Sequence, residues 1–182
     1  MACMKLTLVR HGETEEGKRI VLLGGSRQGT LSEKGIKQAK DIALKLKNRK
    51  FEAIYSSDLA RALDTAKEIM KYHNGTTFYA LSDLRERDVG DLAGKSFKTP
   101  DELYAVGLRS DLRTGETLGQ FQNRLRLFLK PVYDRYRHES VLFVCHGGVI
   151  KAYQNILEHA QPSQMHKRRL LTTGTSLTLN LQ

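Results

Sequence analysis

The sequence holds only two cysteines, Cys3 near its start and Cys145 at the end of an apolar run. So sparse a set supplies no disulfide framework, and both residues read as reduced thiols. No apolar run is long enough to span a bilayer. The stretch Met1 to Val9 is too short in apolar residues for a secretory signal and has no cleavage-site pattern. These absences point to the cytoplasm, where the glycosylation acceptor Asn74-Gly75-Thr76 would have no use. Internal repeats, low-complexity tracts and linker-like stretches are also missing. All 182 residues are therefore expected to form a single domain with a sizeable core.

Acidic residues are in short supply. Twenty Asp and Glu stand against 30 Lys and Arg, a formal net charge of +10. Such an excess suits an anionic partner: nucleic acid, an acidic membrane or a phosphorylated metabolite. The local basic runs Lys45 to Lys50 and His166 to Arg169 have no interleaved aromatics. They read as solvated helix ends or loops rather than a single-strand binding platform.

What is present has a clear rhythm. Leu6 to Val9, Phe51 to Tyr55, Thr76 to Leu81 and Val141 to Cys145 read as strands. Thr175 to Leu181 alternates as an edge strand would. Leu31-Ser32-Glu33 opens a helix on which Ile36, Ala39, Ala43 and Leu46 recur. Ser56-Ser57-Asp58 supplies capping residues for a second helix, with Leu59, Ala62, Leu63, Ala66, Ile69 and Met70 on one face. Thr114 to Thr117 leads into a long helix carrying Leu118, Phe121, Leu125, Phe128 and Val132, and a last helix runs to Leu157. Glu13 to Thr30 reads as a loop. Arg85 to Gly115, with four glycines and one proline, reads as an insertion near a site that could serve as a partial lid. Strands alternating with helices predict an α/β fold, a three-layer sandwich whose mostly parallel sheet is flanked by helices.

Ligands of open α/β sheets bind beyond the carboxyl ends of the strands. His11 follows the first strand and His146 follows Val141 to Cys145. Each precedes a glycine, which lets backbone N–H groups approach an anion, and a helix N-terminus stands behind Gly147. Arg10 adjoins His11, and Arg61 lies in a first helical turn facing the same edge. Two histidines and two arginines around one cavity suit a phosphoryl group. Arginine forks match phosphate oxygens. A neutral histidine can attack phosphorus, and nearby cations lower its pKa and stabilise the transition state.

Six segments, in order, carry a resemblance to a known family. They are Leu8-Val9-Arg10-His11-Gly12-Glu13-Thr14; Leu31-Ser32-Glu33-Lys34-Gly35 with Gln38-Ala39; and Ile54 to Ala62 with Thr65-Ala66. The other three are Leu84-Arg85-Glu86-Arg87-Asp88-Val89-Gly90; Gly115-Glu116-Thr117; and Val144-Cys145-His146-Gly147-Gly148. Over nearly its whole length the chain resembles the histidine phosphatase superfamily, which includes cofactor-dependent phosphoglycerate mutases. The resemblance implies a phosphoglycerate mutase-like fold with a short insertion at about 87–115. It implies metal-independent hydrolysis of a small phosphomonoester, with no cofactor. His11 would be phosphorylated. Arg10, Arg61, His146 and the Gly147 N–H would hold the phosphate, and Glu86 would protonate the leaving group. Two departures bear on substrate choice. Gly17 stands where the family often has asparagine, and Arg27 where an acid is common.

Rival readings are separable. A mutase needs a larger closing insertion to exclude water. Gly90 to Ser96 comes near a P-loop but has three residues between its glycines, not four, and no strand before it. A metal-dependent phosphoesterase would need ligand pairing that His11, His73, His138, His146, His159 and His166 do not show. A basic binder of nucleic acid or membrane would explain the charge but not the order of the motifs. The expected partner is a small phosphorylated metabolite, with neither nucleic acid nor membrane.

Overall fold

A computed structural model describes residues 3–108 and 112–181 of the chain. Five strands form one sheet: β1 (Met4–Arg10), β2 (Ala53–Ser57), β3 (Thr77–Leu81), β4 (Ser140–Cys145) and β5 (Ser176–Leu181). Their order is β3-β2-β4-β1-β5. The first four are parallel, and β5 closes the edge antiparallel to β1. This is the mostly parallel α/β sheet that the alternation predicted.

Alternation along the central strands feeds two cores. Leu6, Leu8, Val141, Phe143 and Cys145 point to one face, against α5 (Leu118–Arg135) and α6 (Gly147–Leu157). Val9, Ile54, Leu142 and Val144 point to the other, against α2 (Glu33–Leu46) and α3 (Ala60–Met70). Strands buried on both faces explain why β4 reads as a continuous apolar run. Among the described residues no helix is long and apolar enough to cross a membrane.

The helices start where capping chemistry permits. Ser32 accepts the Gly35 N–H to begin α2, and Thr117 with Gln120 forms a reciprocal capping box for α5. Two expectations are corrected. Ser56 and Ser57 belong to β2, so α3 begins later, at Ala60, with Leu59 as an N-cap that makes no side-chain cap bond. The side chain of Gln28, far away in sequence, accepts the Ala60 N–H instead. Ile36 of α2 faces solvent, and Ile42 takes the buried position.

The stretch Glu13 to Thr30 holds one short helix, α1 (Glu15–Lys18), before looping back. Within 87–115 the structure has a short 3-10 turn at Gly90–Leu92 and an eight-residue helix, α4 (Pro100–Gly107), capped by Thr99. Residues 109–111 of that segment lie outside the described residues.

Candidate active site

Register brings the two histidines together. Arg10 pairs with Cys145 in the β1–β4 ladder, so the residues that follow are neighbours at the carboxyl edge. The His11 N–H donates to the Cys145 carbonyl at 3.0 Å, and the two imidazoles meet edge to face with centroids 5.0 Å apart. The edge opens on a cavity of about 270 Å³. Arg10, His11, Arg61, Glu86, His146 and Gly147 all line it. All six residues expected from the sequence are thus brought to one place.

His11 Nδ1 lies 2.7 Å from the Gly12 carbonyl. A carbonyl oxygen only accepts, so that nitrogen carries the proton, and a neutral ring keeps the Nε2 lone pair bare. The ring is held neutral. Burial, then the charges of Arg61 and Arg10, push its pKa well below the ordinary histidine value. The sequence led us to expect the cations to act; burial is the larger cause. His146 is lowered in the same way, by burial and then by Arg61, His11 and Arg10.

Two buried polar atoms here are unsatisfied. Arg10 donates Nη1 to the Leu171 carbonyl, while its buried Nε and the Nδ1 of His146 have no hydrogen-bond partner among the described residues. Gly147 starts α6 beside Arg10. A Cβ there would stand 3.3 Å from the guanidinium carbon, so only glycine leaves this approach unhindered. Arg61 is differently engaged. Its guanidinium donates to the carbonyls of Gly24, Arg27 and Gln28, tying the Glu13–Thr30 stretch to α3. Burial lowers its pKa to about 10, so it stays charged at neutral pH.

Glu86 is fixed by both oxygens. Oε2 accepts the Gly148 N–H at 2.8 Å and Oε1 accepts the Arg87 N–H at 2.9 Å. Its backbone is clamped from several sides. Arg85 makes a bidentate pair with Asp58. Arg124 of α5 pairs with both oxygens of Glu116 and donates to the carbonyls of Asp83 and Glu86. Arg87 donates to the carbonyls of Glu116 and Gly107. Such convergence holds a carboxylate to the tolerance that proton transfer demands.

Four contributors escaped the sequence reading. Ser57, taken for a helix cap, places its Oγ 2.9 Å from His146 Nε2; its place at a strand end beside His146 was the available signal. Arg124 and Glu116 carried no signal before the tertiary contacts were known. Lys151 lines the cavity, and a lone lysine among apolar helix residues was a signal left unread.

Known proteins resemble the chain in sequence and in fold. The profile of the histidine phosphatase superfamily (branch 1) matches residues 6–180. The chain belongs to the histidine phosphatase superfamily. It is 30% identical over 183 residues to the phosphoglycerate mutase-like protein 4 of Arabidopsis thaliana, covering 95% of this chain and 78% of that protein. It is 37% identical over 158 residues to a metal-independent phosphoserine phosphatase of the same plant, covering 81% and 66%. Among solved structures, a mycobacterial glucosyl-3-phosphoglycerate phosphatase superposes with a TM-score of 0.83 at 25% identity, over 98% of this chain and 90% of that one. Phosphatase-named relatives within this superfamily support a phosphoric monoester hydrolase. Their fold is the phosphoglycerate mutase-like one described above.

Proposed function

We propose that this chain forms one histidine phosphatase domain that hydrolyses a small phosphomonoester without a metal, through a phosphohistidine on His11. The observation that carries this is the buried, neutral imidazole. The Gly12 carbonyl fixes its proton on Nδ1, so the bare nucleophilic nitrogen stands in a cavity with Arg10 and His146. Nε2 attacks phosphorus, the P–N bond forms and the P–O bond to the leaving alcohol breaks. Arg10, Arg61, His146 and the Gly147 N–H stabilise the charge on the equatorial oxygens. The orphaned Arg10 Nε and His146 Nδ1 gain partners when an anion arrives. Glu86, protonated, gives its proton to the departing oxygen. It then takes one from the water that attacks phosphorus and breaks the P–N bond, releasing phosphate and neutral His11.

The segment 87–115 acts here as a short insertion that walls the leaving-group end through α4. Its small size favours water attack over return of the phosphoryl group to a trapped intermediate, and so a phosphatase over a mutase. Free Cys3 and Cys145 fit a reducing compartment such as the cytoplasm.

The test is hydrolysis of an aryl phosphate and of a phosphometabolite panel in excess chelator, by wild type and His11→Ala. Phosphoserine, fructose 2,6-bisphosphate and 3-phosphoglycerate belong on the panel. Chelator-resistant turnover, abolished in His11→Ala, with an acid-labile, base-stable phosphoenzyme on rapid quenching, is expected. Turnover that survives His11→Ala would refute the proposal.

A further inference from the structure

One cation in the cavity is left over once the phosphoryl group has been provided for. Lys151 lies on α6, one turn beyond Gly147, among the buried residues Val149, Ile150, Ala152 and Tyr153. It is only 7% exposed, and its side chain lines the cavity. Burying an ammonium is costly unless acceptors are supplied. Among the described residues no carboxylate, carbonyl or hydroxyl accepts from it. Its one polar neighbour of note is the ring of Tyr104 on α4, whose centroid lies 5.9 Å from Nζ. Burial, and after it the charge of Arg10, lower its pKa from the usual lysine value. A buried charge that costs stability and has no internal partner fits a group retained for a ligand.

Its position says which part of the ligand. Gly148 and Lys151 are three residues apart and share a face of α6. Gly148 holds the Glu86 carboxylate on that face, beside the atom that must meet the leaving oxygen. Tyr104, Pro100 and Leu103 of α4 wall the same region, with Val89 and Met165 supplying apolar surface. Arg87 also lines the cavity, but its guanidinium is engaged by the carbonyls of Glu116 and Gly107.

We propose that Lys151 reads a second anionic group, a carboxylate or a second phosphate, on the alcohol that leaves. The preferred substrates are then phosphomonoesters of anionic alcohols rather than of neutral ones. The assignment rests on the phosphatase reading for its direction, with phosphoryl at His11 and leaving group at α4.

Binding of three non-hydrolysable probes tests it: propylphosphonate, 3-phosphonopropanoate and propane-1,3-bisphosphonate, titrated calorimetrically into wild type, Lys151→Met and Lys151→Arg. Wild type is expected to bind one of the doubly anionic probes at least tenfold tighter than propylphosphonate. Which one it favours tells carboxylate from phosphate. Lys151→Met should reduce that advantage below threefold, and Lys151→Arg should keep most of it. A parallel readout is the kcat/KM ratio of 4-carboxyphenyl phosphate to phenyl phosphate, which should fall at least tenfold in Lys151→Met. Absence of any preference in wild type would overturn the proposal, whatever the variants do. Equal weakening of all three probes in Lys151→Met would also overturn it, by putting the ammonium on the phosphoryl group. The two readings fail separately. Binding preference without turnover would refute the phosphatase and leave the Lys151 assignment standing.

Discussion

Replacing Gly148 by alanine should separate catalysis from stability in one methyl group. The added Cβ would fall 2.2 Å from Glu86 Oε1 and 2.9 Å from its carboxyl carbon. Ordinary contact begins near 3.4 Å, so the carboxylate must retreat by about 1.2 Å. The obstructing atom is the tip of a flexible side chain, so the retreat costs the fold little. Alanine in place of glycine in the first turn of α6 favours the helix, by up to about 1 kcal/mol. The proton donor suffers instead. A misplacement of about 1 Å costs on the order of 10²-fold in rate, and general acid catalysis is worth about 10²–10⁴-fold. For an alkyl phosphate, whose leaving oxygen needs the proton, kcat is expected to fall by about 10²-fold. For 4-nitrophenyl phosphate, whose leaving group departs unaided, the loss should stay within a few fold. The assay is steady-state kinetics on both substrates beside a thermal melt. Equal losses on the two esters, or an alkyl rate within threefold of wild type, would refute the role given to Glu86 and its support by α6.

Ser57→Ala removes the hydroxyl that can donate to His146 Nε2 and so keep its proton on Nδ1; kcat/KM should fall by about tenfold, and an unchanged value would show that the contact does not orient the ring. His11 and His146 are neutral in the fold but take protons near pH 6.5 when unfolded. Below that pH the unfolded chain binds more protons, so stability is complete above 6.5 and drains away as pH falls toward the lowered folded values. Each ring contributes a slope of up to about 1.4 kcal/mol per pH unit. Urea unfolding at pH 6.5 and 5.5 should show this slope in wild type and less of it in the His11→Gln, His146→Gln pair, whereas equal slopes would refute the buried neutral state. Cys145 is fully buried with its thiol pKa pushed up by burial, so the native protein should lose no activity through that residue to a bulky maleimide. Mass spectrometry locating the label on Cys145 before unfolding would contradict this.

The fold was legible because its central strands carry apolar residues on both faces and end in His-Gly pairs. His11, His146 and Arg10 needed only the rule that parallel strands finish at one edge. Glu86 was legible through the resemblance alone, since an acid in a polar segment looks like any exposed carboxylate until Gly148 is seen behind it. What stayed hidden was long-range. The cap of α3 comes from Gln28, and the guanidinium of Arg61 is braced by three loop carbonyls. Neither leaves a mark on local periodicity, because each depends on where a loop returns. Ser57 was misread for the opposite reason: serine before a helix is so strong a local signal that it masked a tertiary role.

The strand that leads into His11 has a consequence for how the protein is made. Among the described residues β1 pairs with β4 and β5 alone, and the Gly174 N–H bonds to the carbonyls of both Arg10 and His11. During synthesis β1 emerges before the other four strands and waits, with its ladder groups unmet, for partners encoded more than 120 residues later. Loop closure over such a span is slow, and an exposed apolar strand invites association with other chains in the meantime. The β2–α3–β3 unit, whose internal pairing is local, can form without it. Nascent chains should therefore gain structure well before they gain activity, and crowding at the ribosome should trap them through β1.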